Sequence, residues 1–349
     1  MPPKVFVLGA TGFIGGDAVT AVTEAHPDWE LTCMVRNSDK GAKVAAKFSK
    51  IRLVYGDLDS VDLIAEEAAK ADIVYTFADC DHLASAEAVV KGLRVKTTPS
   101  WLIHTSGTGI LTWETKDLGA FGTPLEKVYN DYDGIGELTS LPDHAIHRNV
   151  DKVVLAAGND LIHTAIVCPP TIYGVGRGPD NQDSVQVPGV AREFLKHGEA
   201  FSCRGSENIW CMIHVQDLSN LYLLLGEAAA SGGNPATWND EGYYLAEQGT
   251  FVWNEVITRV ADYEHKLGLI KSAAVRPLEP DEIAKFSPSF LGYCGSNSIG
   301  DAIRARKLLG WHPSERSVLD TIEETVDRVA KKMGLVKGHG ERVVDEVKF

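Results

Sequence analysis

The stretch Val5-Phe6-Val7-Leu8-Gly9-Ala10-Thr11-Gly12-Phe13-Ile14-Gly15 runs an apolar segment straight into three spaced glycines, and a helical pattern continues to Ala25. Each glycine has a physical reason to be there. Gly9 permits a tight turn out of a strand, Gly12 lets the backbone approach a pyrophosphate, and Gly15 lets a helix pack close to a sheet. The amino terminus of that helix offers unpaired N–H groups and a partial positive charge to an anion. The loop, with Thr11, Phe13 and Ile14 between its glycines, is therefore expected to hold a dinucleotide.

Outward from this loop, β-rich runs at Lys4–Leu8, Leu31–Val35, Arg52–Tyr55, Ile73–Phe77, Leu102–Thr105 and Ile162–Val167 alternate with amphipathic stretches at Phe13–Ala25, Ser60–Ala69 and Ala84–Val95. Strands that return through helices pair in parallel, so the expected fold is α/β, a doubly wound parallel sheet with its site at the strands' carboxyl ends. After Pro169 the rhythm changes. Loops rich in Gly, Pro and Asn separate helical patterns at Val187–Lys196, Val215–Ala230, Phe251–Lys266 and Ser317–Lys332. Residues 1–168 thus read as a Rossmann core and 169–349 as a smaller substrate lobe, with some segments returning to the core and a loosely held tail after Gly334.

The chain's 349 residues are 44% hydrophobic and 23% charged, which argues against long disorder. Thirty-four basic residues against 48 acidic ones give a net charge of −14, which repels a nucleic-acid backbone. The six cysteines, Cys33, Cys80, Cys168, Cys203, Cys211 and Cys294, form no CxxC pair or zinc-finger spacing, so free thiols and no metal are expected. No apolar run nears the roughly 18 residues of a membrane span, and the first strand begins too early for a signal peptide. A cytoplasmic protein acting on a small molecule is the expectation, with no membrane or nucleic-acid partner.

The residue after the second strand selects the dinucleotide. An acid there holds the ribose hydroxyls of NAD, whereas an arginine accommodates a 2′-phosphate. Here the strand ends in Arg36, and Lys40 offers a second charge, so NADP(H) is the expected cofactor.

With these landmarks the chain resembles the short-chain dehydrogenase/reductase superfamily, in its extended branch of epimerase-, dehydratase- and reductase-like proteins. The GxxGxxG spacing is that of the superfamily. Gly56-Asp57-Leu58 is similar to the turn near the adenine, and Phe77-Ala78 to the strand end beneath the cofactor. Ile166-Val167-Cys168-Pro169-Pro170-Thr171-Ile172-Tyr173-Gly174 resembles the segment beside the nicotinamide, with Cys168 where arginine is common. His214-Val215-Gln216-Asp217-Leu218 and Leu309-Gly310-Trp311-His312-Pro313 resemble later family motifs, in the family's order. The resemblance implies cofactor contacts at Asp57, Leu58, Phe77, Ala78, Pro169 and Thr171, and allows a homodimer through the helices flanking the fifth strand.

The family's catalytic pattern does not carry over. Its enzymes hold the substrate carbonyl with a Ser or Thr after the fifth strand and donate a proton from a Tyr followed one helical turn later by a Lys. Ser106 or Thr108 fits the first role, but no Tyr-x-x-x-Lys stands where the next helix should start. That helix reads Pro142-Asp143-His144-Ala145-Ile146-His147-Arg148-Asn149-Val150-Asp151-Lys152. Aligning Asp151 with the family's helix glutamate places Asp143 at the tyrosine and His147 at the lysine, and a one-residue slip offers His144 and Arg148. Histidine exchanges protons near neutrality, so His147 or His144 is the expected acid/base group, with Asp143 orienting the ring of His147. Tyr129 and Tyr132 are further phenol candidates. His144 and His147 lack a third ligand at convincing spacing, and no metal site is expected.

Three functions are compatible with this reading: an NADP(H)-dependent reductase or dehydrogenase for a small carbonyl or alcohol, an NmrA-like cofactor sensor without turnover, and a nucleotide-sugar epimerase or dehydratase. Trp210, Trp238, Tyr243 and Trp253 hint at an apolar or ring-bearing ligand, although each also suits a core.

Overall fold

A computed structural model describes residues 1–336; the tail expected to be loosely held lies outside the described residues from position 337. Lys4–Leu8 (β1) is apolar on both faces because both are covered, and four of its five residues are buried. Glu30–Val35 (β2), Arg52–Tyr55 (β3), Ile73–Thr76 (β4), Ser100–Thr105 (β5), Ile162–Cys168 (β6) and Tyr243–Leu245 (β7) complete a seven-stranded sheet, in the order β7-β6-β5-β4-β1-β2-β3. Every pairing is parallel. The doubly wound architecture is as expected, and the strand order reverses at β1, with β2 and β3 laid down on one side and β4 and β5 on the other, which opens a crevice beside the glycine loop.

Phe13–Ala25 (α1) follows β1, Ser38–Lys47 (α2) follows β2, Val61–Lys70 (α3) follows β3 and Leu83–Arg94 (α4) follows β4. Arg148–Leu155 (α5) precedes β6, and Val215–Ala230 (α6) packs along α1. α1 and α6 cover one part of the sheet, while α3 packs on α4, and α4 on α5. Val19 and Val22 of α1 and Leu218, Leu221 and Leu225 of α6 are buried in one continuous core. Burying each such side chain contributes roughly 1.5–3 kcal/mol.

A second core gathers Phe194, Phe201, Trp253, Val256 and Phe290 in the later half. Its small sheets pair Ile209–His214 with both Thr171–Tyr173 and Thr250–Val252, and Ala200–Cys203 with Val275–Leu278. Two features differ from the sequence reading. β7 was not anticipated, since three residues carry no periodicity; it and α6 return to the first core from beyond residue 169. The helix expected from Pro142 begins only at Arg148. No helix among the described residues is long and apolar enough to cross a membrane.

Candidate functional site

The glycine loop is a cradle built by close approach. Gly9 leaves β1 at φ +94°, where a side chain is strained, and a β-carbon there would lie 2.7 Å from the Phe77 carbonyl carbon and the Ala78 nitrogen. On Gly15 it would come within 2.4 Å of the Gly9 carbonyl oxygen, so α1 is seated against the loop. Gly12 stands at the start of α1 and no side chain caps the helix, which leaves its first-turn N–H groups for an anion. Both observations fit a dinucleotide's pyrophosphate.

A strap formed by residues 174–184 crosses this loop. The Asn181 amide donates to the Thr11 carbonyl at 3.2 Å. Arg177 donates through its backbone amide at 2.6 Å and its guanidinium at 2.7 Å to Asp17, which also accepts from Ser219 at 2.7 Å. Burial opposes the Asp17 charge, but the hydrogen bonds from Arg177 and Ser219 outweigh it and hold the carboxyl below its usual range.

At the adenosine end Arg36 is exposed directly after β2. Lys40 departs from its expected role: with Lys43 it pairs with Asp180 of the strap, so its charge is already met by a carboxylate. Asp57 closes its own turn, accepting from the Ser60 hydroxyl at 2.9 Å and the Asp59 amide at 3.2 Å. Leu58 packs partly buried on the first core.

Beyond the loop opens a cleft of about 590 Å³, walled at the sheet end by Phe13, Ile14, Phe77, His147 and Pro169. His147 caps α5 in the left-handed region, at φ 67°, and its carbonyl accepts from the Val150 and Asp151 amides at 3.1 Å. A non-glycine residue in this conformation costs about 1 kcal/mol or more and calls for compensation. Here the ring finds it: Nδ1–H donates to the Asp81 carboxylate at 2.7 Å, and Cys80 Sγ lies 3.3 Å from the same nitrogen. Nε2 points past Gly107 and Gly109, where β-carbons would stand 3.4 and 3.3 Å away. An Asp–His dyad with one ring nitrogen anchored and the other at a cleft can take or give a proton. Burial and the neighbouring Asp81 and Asp79 push the Cys80 thiol up to about 12, so it remains a thiol.

The remaining candidates lie elsewhere. His144 is exposed and bonds both Asp117 carboxylate oxygens at 3.1 Å. Asp143 pairs with Lys152 at 2.8 Å and does not orient His147, because residues 143 and 147 precede α5 and share no helical face. Tyr129 is buried, its hydroxyl accepting from the Trp113 indole at 3.1 Å, and Tyr132 packs under Arg304 and Lys307; neither lines the cleft. The Ser106, Thr108 and Thr171 hydroxyls are buried without a partner among the described residues, and none of the three residues lines the cleft. Beside Ser106 in this interior, burial pushes Asp151 up to about 6 and His104 down to about 4, leaving the imidazole neutral. Of the four aromatic candidates Trp210 and Trp253 belong to the second core, and Trp210 also borders the cleft; Trp238 donates to the Gly233 carbonyl at 2.8 Å, and Tyr243 to Asp151 at 2.9 Å.

Ligand atoms of Cys80, Asp81 and His147 lie within 4.8 Å of one another, a donor set that could hold a metal. As placed, the 2.7 Å Asp81–His147 contact is a hydrogen bond, shorter than the about 3.4 Å between ligands of a tetrahedral zinc ion. Asp81, Cys80 and the strap's Arg177 were missed in the sequence. The run Asp79-Cys80-Asp81-His82 at the carboxyl end of β4, next to the crevice, was the signal for the first two.

Residues 9–115 match the NAD(P)H-binding family. Over 347 residues, spanning 96% of this chain and the whole of its relative, the chain is 33% identical to the oxidase ucsJ of an Acremonium species. Among solved structures it is similar to the UDP-glucose 4-epimerase of Thermotoga maritima, with TM-score 0.62 and 15% identity over 95% of this chain and 99% of that one. It is likewise similar to dTDP-glucose 4,6-dehydratase from Bacillus anthracis in complex with NAD, with TM-score 0.65 and 13% identity over 95% and 98% of the two chains. Glycine cradle, reversal point and full-length likeness agree, and the chain belongs to the extended short-chain dehydrogenase/reductase superfamily, with an NAD(P)-binding, epimerase/dehydratase-like fold.

Proposed function

We propose that the protein is an NADP(H)-dependent oxidoreductase for a carbonyl or alcohol, with His147, at the family's lysine position, taking over the proton transfer of the family's tyrosine. The observation that carries this reading is a cleft-lining histidine whose Nδ1 is anchored on Asp81 at 2.7 Å and whose Nε2, beside Gly107 and Gly109, has no partner among the described residues. When bound, a nicotinamide exchanges a hydride with the substrate carbon. The matching proton on the substrate oxygen is held or released at His147 Nε2, while Asp81 keeps the ring in the tautomer and orientation that this requires. Phe77 and Pro169 wall the same end of the cleft. Arg36, with no acid at the end of β2, supports NADP(H) over NAD(H). Likeness along the whole chain to a protein named an oxidase supports net redox chemistry.

The test is NADPH oxidation dependent on a panel of ketones, aldehydes and quinones. His147→Ala should lower turnover by roughly 10²–10⁴ with little change in NADPH affinity. Asp81→Asn should cost less, since it loosens the ring without removing it. Full activity in His147→Ala would overturn the assignment. Lack of turnover across the panel, together with nucleotide-dependent binding to a protein partner, would favour a sensor.

A further inference from the structure

Resting on that reading, we infer that the substrate is an apolar, ring-bearing carbonyl compound with a single carboxylate, received by Lys116, and not a nucleoside-diphosphate sugar. Away from His147 the cleft is walled by Ile146, Ile172, Val185, Trp210 and Tyr293. Val185 and Ile146 remain 73% and 40% exposed, so apolar side chains reach the cleft without a covering partner. Trp210, 4% exposed, has its indole N–H spent on the Ser296 carbonyl at 2.7 Å, so the edge of its ring that borders the cleft is apolar. Such walls suit a ring or hydrocarbon segment.

Charge narrows the class further. The chain carries 48 acidic residues against 34 basic ones, yet no carboxylate among the described residues lines this cleft. Its one fixed cation among the described residues is Lys116, in the short helix Trp113–Leu118, a turn beyond Thr112, which also lines the cleft. An acid-free apolar cleft with one ammonium at its mouth selects a monoanion. A diphosphate brings two charges, and phosphates are typically clamped by arginine forks, but no arginine among the described residues lines the cleft. The carbonyl then belongs at the His147 end and the carboxylate at the Lys116 end.

The experiment uses the full chain, first titrated with NADPH and then, saturated with NADP⁺ so that no ketone is reduced, with two acid–ester pairs: 4-oxo-4-phenylbutanoate and 5-oxo-5-phenylpentanoate, each against its methyl ester. UDP-glucose is the third arm, and binding is read by calorimetry and tryptophan fluorescence. Each acid should bind about three- to five-fold more tightly than its ester, the range of a partly exposed ion pair. Lys116→Met should bring acid and ester within two-fold and leave NADPH affinity unchanged. Acids that fail to bind, esters that bind equally well, a Lys116→Met variant that keeps the preference, or UDP-glucose binding tightest would each overturn the inference. Failure to bind NADPH in the first titration would instead defeat the cofactor reading, so the two failures are distinguishable.

Discussion

Arg36 leaves β2 exposed, while the lysine four residues later already faces Asp180. Of these two cations the guanidinium is the one available to a ribose 2′-phosphate, and its planar fork suits that group. Hydrogen bonds to charged groups are worth roughly 1.5–3 kcal/mol, so Arg36→Ala should weaken NADPH binding by about one to two orders of magnitude and leave NADH nearly unchanged. Asp180→Asn makes the opposite change, freeing Lys40 and Lys43, and should tighten NADPH relative to NADH. Calorimetric titration of both nucleotides checks the pair, and equal affinities in the unmodified protein would show that Arg36 does not read the phosphate.

The strap is an element without regular structure, and its order depends on a few polar anchors. Chief among them is Asp17, wholly buried in α1 and shared by Arg177 and Ser219. Removing one partner of a buried pair leaves the other charge uncompensated, at a cost of about 3–5 kcal/mol. Arg177→Ala should therefore lower stability, speed amide exchange across residues 174–184 and weaken dinucleotide binding. Adding Asp17→Asn should restore much of the stability but not the affinity, because the strap still lacks its anchor. Hydrogen-exchange mass spectrometry with nucleotide titration separates these effects, and unchanged exchange in the strap would remove it from the binding account. Elements whose residues repeat locally were legible in the sequence: β1, the glycine loop and α1 follow from pattern alone. The start of α5 was not. Pro142 to His147 has the composition of a helix, but His147 takes a left-handed conformation stabilised by Asp81, which is distant in sequence. Arg177 and Asp17 are likewise 160 residues apart, so no local window contains the contact.

Across the whole molecule the net charge of −14 makes buried carboxylates unwelcome, yet burial lifts three of them, Glu264, Asp151 and Asp131, far above their usual range. Glu264, in the helix Trp253–Lys266 of the second core, is fully buried with neither carboxylate oxygen partnered among the described residues. Burial raises it from an ordinary 4.5 to about 8, and Asp151 in the first core rises from 3.8 to about 6. The sign follows from proton counting. Between the unfolded and folded values the unfolded chain has released a proton that the folded protein still holds, so raising the pH favours unfolding. Stability should therefore fall as pH climbs from about 4.5 to 8, by up to roughly 1.4 kcal/mol per pH unit from Glu264, and level off above that. Asp151 and Asp131, each raised to about 6, add to the fall only below about pH 6. Glu264→Gln keeps the shape of the side chain and cannot ionise, so it should flatten the upper part of the curve and leave the variant more stable than the unmodified protein at pH 8. Urea unfolding at a series of pH values measures this directly. Parallel curves for the two proteins would mean that Glu264 is ionised in the fold, and hence that water or a counter-charge reaches the second core.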